Sequence, residues 1–130
     1  MKRTRWSIRC FQDSSGDIID DWYRQQPEEL QAKFDTQLRY LREQPPANWC
    51  PPYFKALQRE CKGLGEVRFE FHNVQYRPLG FFAGQLEFIL VLVATKKGSV
   101  FDPRNACELG QRRKSLILAD KQRHSRDCEF

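Results

Sequence analysis

The chain has little that would place it in a membrane, at a metal or outside the cell. Its longest apolar run, Phe88 to Ala94, falls well short of the roughly 20 residues that a membrane-spanning helix needs. The opening MKRTRWSIRCF carries cations but no apolar core, which argues against a secretion signal and makes a cytoplasmic location the expectation. The five cysteines (Cys10, Cys50, Cys61, Cys107 and Cys128) form no C-x-x-C pair. Their spacing points to neither a zinc site nor a disulfide framework, so the expectation is reduced thiols with ordinary structural roles. There are no internal repeats and no low-complexity tract, so nothing marks a second domain.

What is present fits one small folded domain. Of 130 residues, 40% are hydrophobic and 13% aromatic, enough for a single modest core and too apolar for a disordered chain. The formal net charge of +5 suits a polyanionic partner such as RNA. The domain is expected over residues 1–120, with residues 121–130, a polar tail, expected to fray.

Along the chain, residues 5–11 alternate apolar and polar, a first strand with Trp6, Ile8 and Cys10 on one side. Asp13-Ser14-Ser15-Gly16 is turn chemistry. Residues 17–24 read as a short helix with Ile18, Ile19 and Trp22 inward. Pro27 suits a first helical position, and Glu28 and Glu29 suit the positive end of the helix dipole. Leu30, Phe34, Leu38 and Leu41 then recur at helical spacing through Glu43, a core-facing stripe. The prolines of QPPANWCPP break the pattern. Trp49 within it is expected to pin that loop to the core, with base stacking the alternative. Residues 53–60 read as a connecting turn or helix. Asp102-Pro103 reads as a cap and first turn of a last helix reaching about Ala119, with Ala106, Leu109, Leu116 and Ile117 inward.

The organising stretch is Gly65 to Arg104. Val67, Phe69 and Phe71 alternate with Glu66, Arg68, Glu70 and His72, the period of a half-buried strand. His72-Asn73 reads as a tight turn, Val74 to Phe82 as the returning strand, and Ala83-Gly84-Gln85 as the next turn. Residues 86–95 are nearly all apolar, as in a central strand covered on both faces, and Lys96-Lys97-Gly98 ends it. The cations Arg68, Arg77, Lys96, Lys97 and Arg104 ride on this scaffold. Whether they share a face depends on register.

GLGEVRF, then VQYRPLGFF, then an apolar strand closing in ATKKG, then P-R-N-A at a helix start resembles the RelE/HigB branch of the RelE/ParE toxin superfamily. Within it, the pattern is most similar to the phage-derived HigB-like toxins of type II toxin-antitoxin systems. The likeness runs from Tyr53 to Arg113. It implies an α+β fold, β-α-α-β-β-β-α, in which a small, mostly antiparallel sheet carries two N-terminal helices on one face and a C-terminal helix. It also implies a ribosome-dependent mRNA endonuclease that uses no cofactor or metal. The partners it implies are the ribosome, the message and a cognate antitoxin, usually a helix-turn-helix HigA-like protein.

That chemistry needs cations for the charge that grows on the phosphoryl oxygens, a proton acceptor for the 2′-hydroxyl and a donor for the leaving oxygen. The resemblance lands on Arg77 as the first phosphate contact, with Arg68 second and Lys96 and Lys97 at the strand end. Glu70 and His72, with Glu66 behind them, are the local proton acceptors, since arginine does not deprotonate near neutral pH. Arg104 and Phe101 are expected to contact RNA, Phe101 by stacking, and His124 is a remote alternative base. No histidine follows the last strand, a departure from some relatives. Arg77 and Arg68 also admit a plain surface ion pair, with Glu66, Glu70 or Glu87 as partners, and Lys96 and Lys97 a solvated strand end. Two other readings stay open: a ParE-like gyrase inhibitor, and a degenerate toxin that binds RNA or protein without cutting.

Overall fold

The computed structural model describes residues 5–130, so the first four residues of the expected domain lie outside the described residues. In chain order the elements are β1 (Ser7–Phe11), α1 (Ile18–Arg24), α2 (Glu28–Arg42), β2 (Phe54–Ala56), β3 (Gly65–Val67), β4 (Phe69–Phe71), β5 (Val74–Gly84) and β6 (Glu87–Lys97). They are followed by β7 (Val100–Asp102), α3 (Ala106–Ala119), α4 (Lys121–His124) and β8 (Ser125–Asp127).

Helix α2 follows from its stripe. Leu30, Phe34, Leu38 and Leu41 are all buried, and each fully buried side chain of this size contributes about 1.5–3 kcal/mol. An isolated helix of this length is marginal in water, so the packing holds it. Phe34 is the hub, with Trp22, Tyr23, Phe69 and Phe130 around its ring. Trp49 is buried and donates its indole N–H to the Leu41 carbonyl (3.1 Å), pinning the proline loop as expected.

The sheet runs β2-β3-β5-β6-β1-β8, with β4 also on β5 and β7 also on β6. Among the described residues only β1 and β6 pair in parallel. Helices α1 and α2 cover one face together with Trp6, Cys10, Phe69, Phe88 and Leu90. Helix α3 covers the other over Leu79, Phe81, Ile89, Val91, Leu92 and Ala94. The central strand β6 is therefore buried on both sides, as its apolar run predicts.

One irregularity in β6 controls the site. Leu79 pairs with Leu92 but Gly80 pairs with Leu90, so β6 carries one extra residue there. Before this bulge the odd residues Ile89 and Val91 point to the α3 side; after it the even residues Leu92 and Ala94 do. Gly80 allows the close approach, because a Cβ there would collide with the Ile89 carbonyl and the Phe88 ring.

Several expectations are corrected. The stretch 53–60 forms strand β2 on β3, followed by a single 3-10 turn (Arg59–Cys61), because Phe54 can bury itself only as an edge strand beside Val67. The alternating segment from Gly65 splits into β3 and β4 because Pro78, opposite Val67, has no N–H for the ladder. Asp102 does not cap a helix. It ends β7, which turns back on β6 after Gly98 (φ 61°), and α3 starts at Ala106. Leu116 is exposed, while its neighbour Ile117 takes the inward position.

The thiols and the tail also differ from expectation. Cys10 is bonded to Cys128 and Cys61 to Cys107, leaving Cys50 as the free cysteine among the described residues. The partners are 118 and 46 residues apart in sequence, and the fold brings their Cα atoms to 5.2 and 4.9 Å. The tail does not fray. Residues 125–127 pair with β1, Arg9 bridges Asp127 at 2.9 Å, and Phe130 stacks on Tyr23 at 4.5 Å. Among the described residues no helix is long and apolar enough to cross a membrane.

Candidate anion-binding site

The β4–β5 hairpin and the β5–β6 register arrange the charged residues on the α3 side of the sheet. Glu66 pairs with Leu79 and Phe69 with Tyr76, which sets Arg68 opposite Arg77. Two residues along, Glu70 pairs with Gln75, Gln75 with Lys96, and Lys96 with Phe101. Side chains two apart on a strand share a face. Glu66, Arg68, Glu70, Arg77, Gln75 and Lys96 therefore occupy one patch, beyond the end of the apolar surface covered by α3.

Glu66 is its centre. Its carboxylate lies 3.2 Å from Arg68 Nε, 3.5 Å from Arg77 Nε and 3.5 Å from Lys96 Nζ. Side-chain exposure is 0% for Glu66, 6% for Arg77, 21% for Lys96 and 32% for Arg68, so the carboxylate lies beneath its cations. Neither carboxylate oxygen accepts a hydrogen bond of good geometry, so the contacts are ion pairs. Three cations around one carboxylate leave positive charge in excess, which Glu70 at the exposed edge reduces by one.

The cations differ in what they have left to offer. Arg77 donates Nη1 to the carbonyls of Tyr76 (2.8 Å) and Phe69 (3.4 Å), and Nη2 to Gln75 Oε1 (2.9 Å). Burial pushes its guanidinium down from the ordinary value; Glu66 pulls it back up, and Arg68 opposes that. It remains charged, because an arginine so perturbed stays protonated at any working pH. Arg68 and Lys96 are the more exposed pair, and Lys96 sits 4.5 Å over the Phe101 ring.

The other expected residues fall around this centre. Glu70 lines a cleft of about 300 Å³ with Pro52, Arg68, Phe69, Gln75 and Arg77. Beside it, across the Gln75–Lys96 pair, a cleft of about 490 Å³ takes in Lys96, Lys97, Phe101 and Arg104. Lys97 pairs with Val100 and alternates with Lys96, so it points to the opposite face. His72 occupies the exposed β4–β5 turn with φ 50°, its ring edge-on to Phe71 at 4.2 Å. His124 stacks near Phe11 beside Gln12, outside both clefts. From the sequence, Glu66 is expected behind the proton acceptors or as a surface ion-pair partner of Arg68 and Arg77; it pairs with both, but from a fully buried position and with Lys96 as well. The available signal was that Glu66 is two residues from Arg68, on the same strand face.

Fold and patch together define a small α+β protein whose sheet carries a cationic, anion-seeking face. The chain belongs to the phage-derived Gp49-like family (DUF891), whose model matches residues 21–115 and so takes in the end of α1, all of α2, strands β2 to β7 and most of α3. That family is related to the RelE/HigB toxins of toxin-antitoxin systems. No curated protein and no solved structure matches the chain.

Proposed function

We propose that this protein is the toxin of a type II toxin-antitoxin system, an endonuclease that cuts messenger RNA on the ribosome. The observation that carries this reading is the convergence of Arg68, Arg77 and Lys96 on one sheet face. In the reaction, the 2′-oxygen of a ribose attacks the adjacent phosphorus and the bond from phosphorus to the 5′-oxygen breaks. The 2′ proton passes to a base and the leaving oxygen gains one, giving a cyclic phosphate and a free 5′-hydroxyl. Arg68 and Lys96 are the arms that hold the phosphoryl oxygens. Arg77 adds positive charge from beneath. Glu70, in the cleft with Arg68, is the acceptor best set for the 2′ proton; His72 in the neighbouring turn is the alternative. Phe101 and Arg104 hold the flanking RNA by stacking and charge.

The ribosome supplies the alignment of the message, so the protein need add only charge and proton transfer. Relation to the RelE/HigB toxins supports an antitoxin partner, of the helix-turn-helix HigA-like kind, that keeps the protein inert. The test is cleavage in a translating extract, mapped by primer extension. Wild type cuts translated messages, and the Arg68→Ala/Lys96→Ala variant loses on the order of 10²-fold or more, the loss typical for one oxyanion donor. Intact messages with wild-type protein would sink the proposal. One observation favours a second reading, RNA binding without cleavage: the Nη donors of Arg77 are already bonded within the protein. Tight RNA binding with no cut would select it.

A further inference from the structure

Resting on that reading, we infer that Glu66 is the positioning residue of the site, a buried counter-charge that sets the separation and aim of its cations. The register puts Arg68 directly opposite Arg77, and like charges directly opposed across strands push apart. Their Nε atoms both lie beside one oxygen of Glu66, and so within about 7 Å of each other. Lys96 meets the other oxygen. One carboxylate on β3 thus tethers cations from β5, from β6 and from Arg68 in the break between β3 and β4, and its own burial prevents it from following them outward. Among the described residues no other carboxylate lies within ion-pair distance of Arg68, Arg77 or Lys96.

A proton acceptor must reach the 2′-hydroxyl, and Glu66 has no exposed surface with which to do so. Its effect passes through Arg68 and Lys96. With the tether in place, the two arms stand ready around one phosphodiester before it arrives. Without it they splay into solvent, and each must be gathered at the expense of binding energy.

Glu66→Gln keeps the volume and removes the charge. In the ribosome assay its kcat/KM falls on the order of 10- to 100-fold, the upper figure matching a misplacement of about 1 Å. The pH–rate profile keeps its shape, and Glu66→Asp, which keeps the charge on a shorter arm, recovers part of the rate. A Gln variant at the wild-type rate overturns the inference. So does one that loses a limb of the pH profile, since Glu66 would then be the base itself. If wild type does not cut, the endonuclease reading fails, and binding of a short 2′-O-methyl RNA decides this inference separately. Removing a negative charge tightens RNA binding on electrostatics alone; the positioning role predicts that Glu66→Gln binds more weakly, and tighter binding refutes it. If the variant does not fold, wild-type NMR decides. The Nε–H signals of Arg68 and Arg77 should stand apart from those of solvated arginines and exchange slowly, and coincidence with the solvated group refutes the tether.

Discussion

Replacing Arg77 with Met separates the structural cation from the functional ones. Methionine fills most of the volume of the arginine stem but carries no charge and no donors. The change leaves the Tyr76 and Phe69 carbonyls and Gln75 Oε1 without their partner, and removes one of three cations from a fully buried carboxylate. An unsatisfied buried polar group costs about 1–3 kcal/mol, and breaking a buried ion pair by removing one partner costs about 3–5 kcal/mol. These overlap at one side chain, and Arg68 and Lys96 still compensate Glu66 in part. The expected loss is therefore about 3–5 kcal/mol in total, or a fall in Tm of about 10–20 °C for a domain of this size. Arg68→Met and Lys96→Met remove partly exposed charges and should each cost about 1 kcal/mol or less. Urea and thermal unfolding of the three variants, followed by circular dichroism, checks the ranking. An Arg77→Met variant within 1 kcal/mol of wild type, or one no less stable than Arg68→Met, would refute the assignment of Arg77 to the scaffold.

Phe34→Ala should destabilise by about 3–5 kcal/mol, because Phe34 is fully buried at the meeting point of α1, α2, β4 and the tail; urea unfolding measures it. Reducing the Cys10–Cys128 bond, or replacing Cys128 with Ser, reopens a link across 118 residues and should cost about 2–5 kcal/mol. Hydrogen exchange should then accelerate first in residues 121–130. Burial raises the Asp20 carboxyl above its ordinary value, and a backbone bond from Glu129 only partly offsets this. A carboxyl raised in the folded state favours folding when protonated, and that contribution is lost as pH rises through its folded value. Asp20→Asn should therefore be more stable than wild type at neutral pH, with the difference closing as pH falls towards 3.8. An advantage that persists in acid would contradict this origin.

Local periodicity was enough for the elements that depend on it. The four-residue stripe of α2, the alternation of Val67, Phe69 and Phe71, the His72-Asn73 turn and the doubly buried β6 all follow from spacing along the chain. The left-handed backbone at both turn residues is the conformation that a two-residue hairpin requires. The chemical types at the site were legible in the same way, as cations interleaved with strand residues.

Which of those cations meet was decided in three dimensions. A single extra residue in β6 reverses the facing of everything after it, so Lys96 joins Arg77 while Lys97 turns away. Both disulfides, and the ordering of the tail against β1, join segments 46 to 118 residues apart, beyond the reach of any local pattern. Glu66 looks in the sequence like one more polar residue on a half-exposed strand. It is buried because β5, β6 and the break between β3 and β4 bring Arg77, Lys96 and Arg68 over it, and charges collect only where register and packing set their distances.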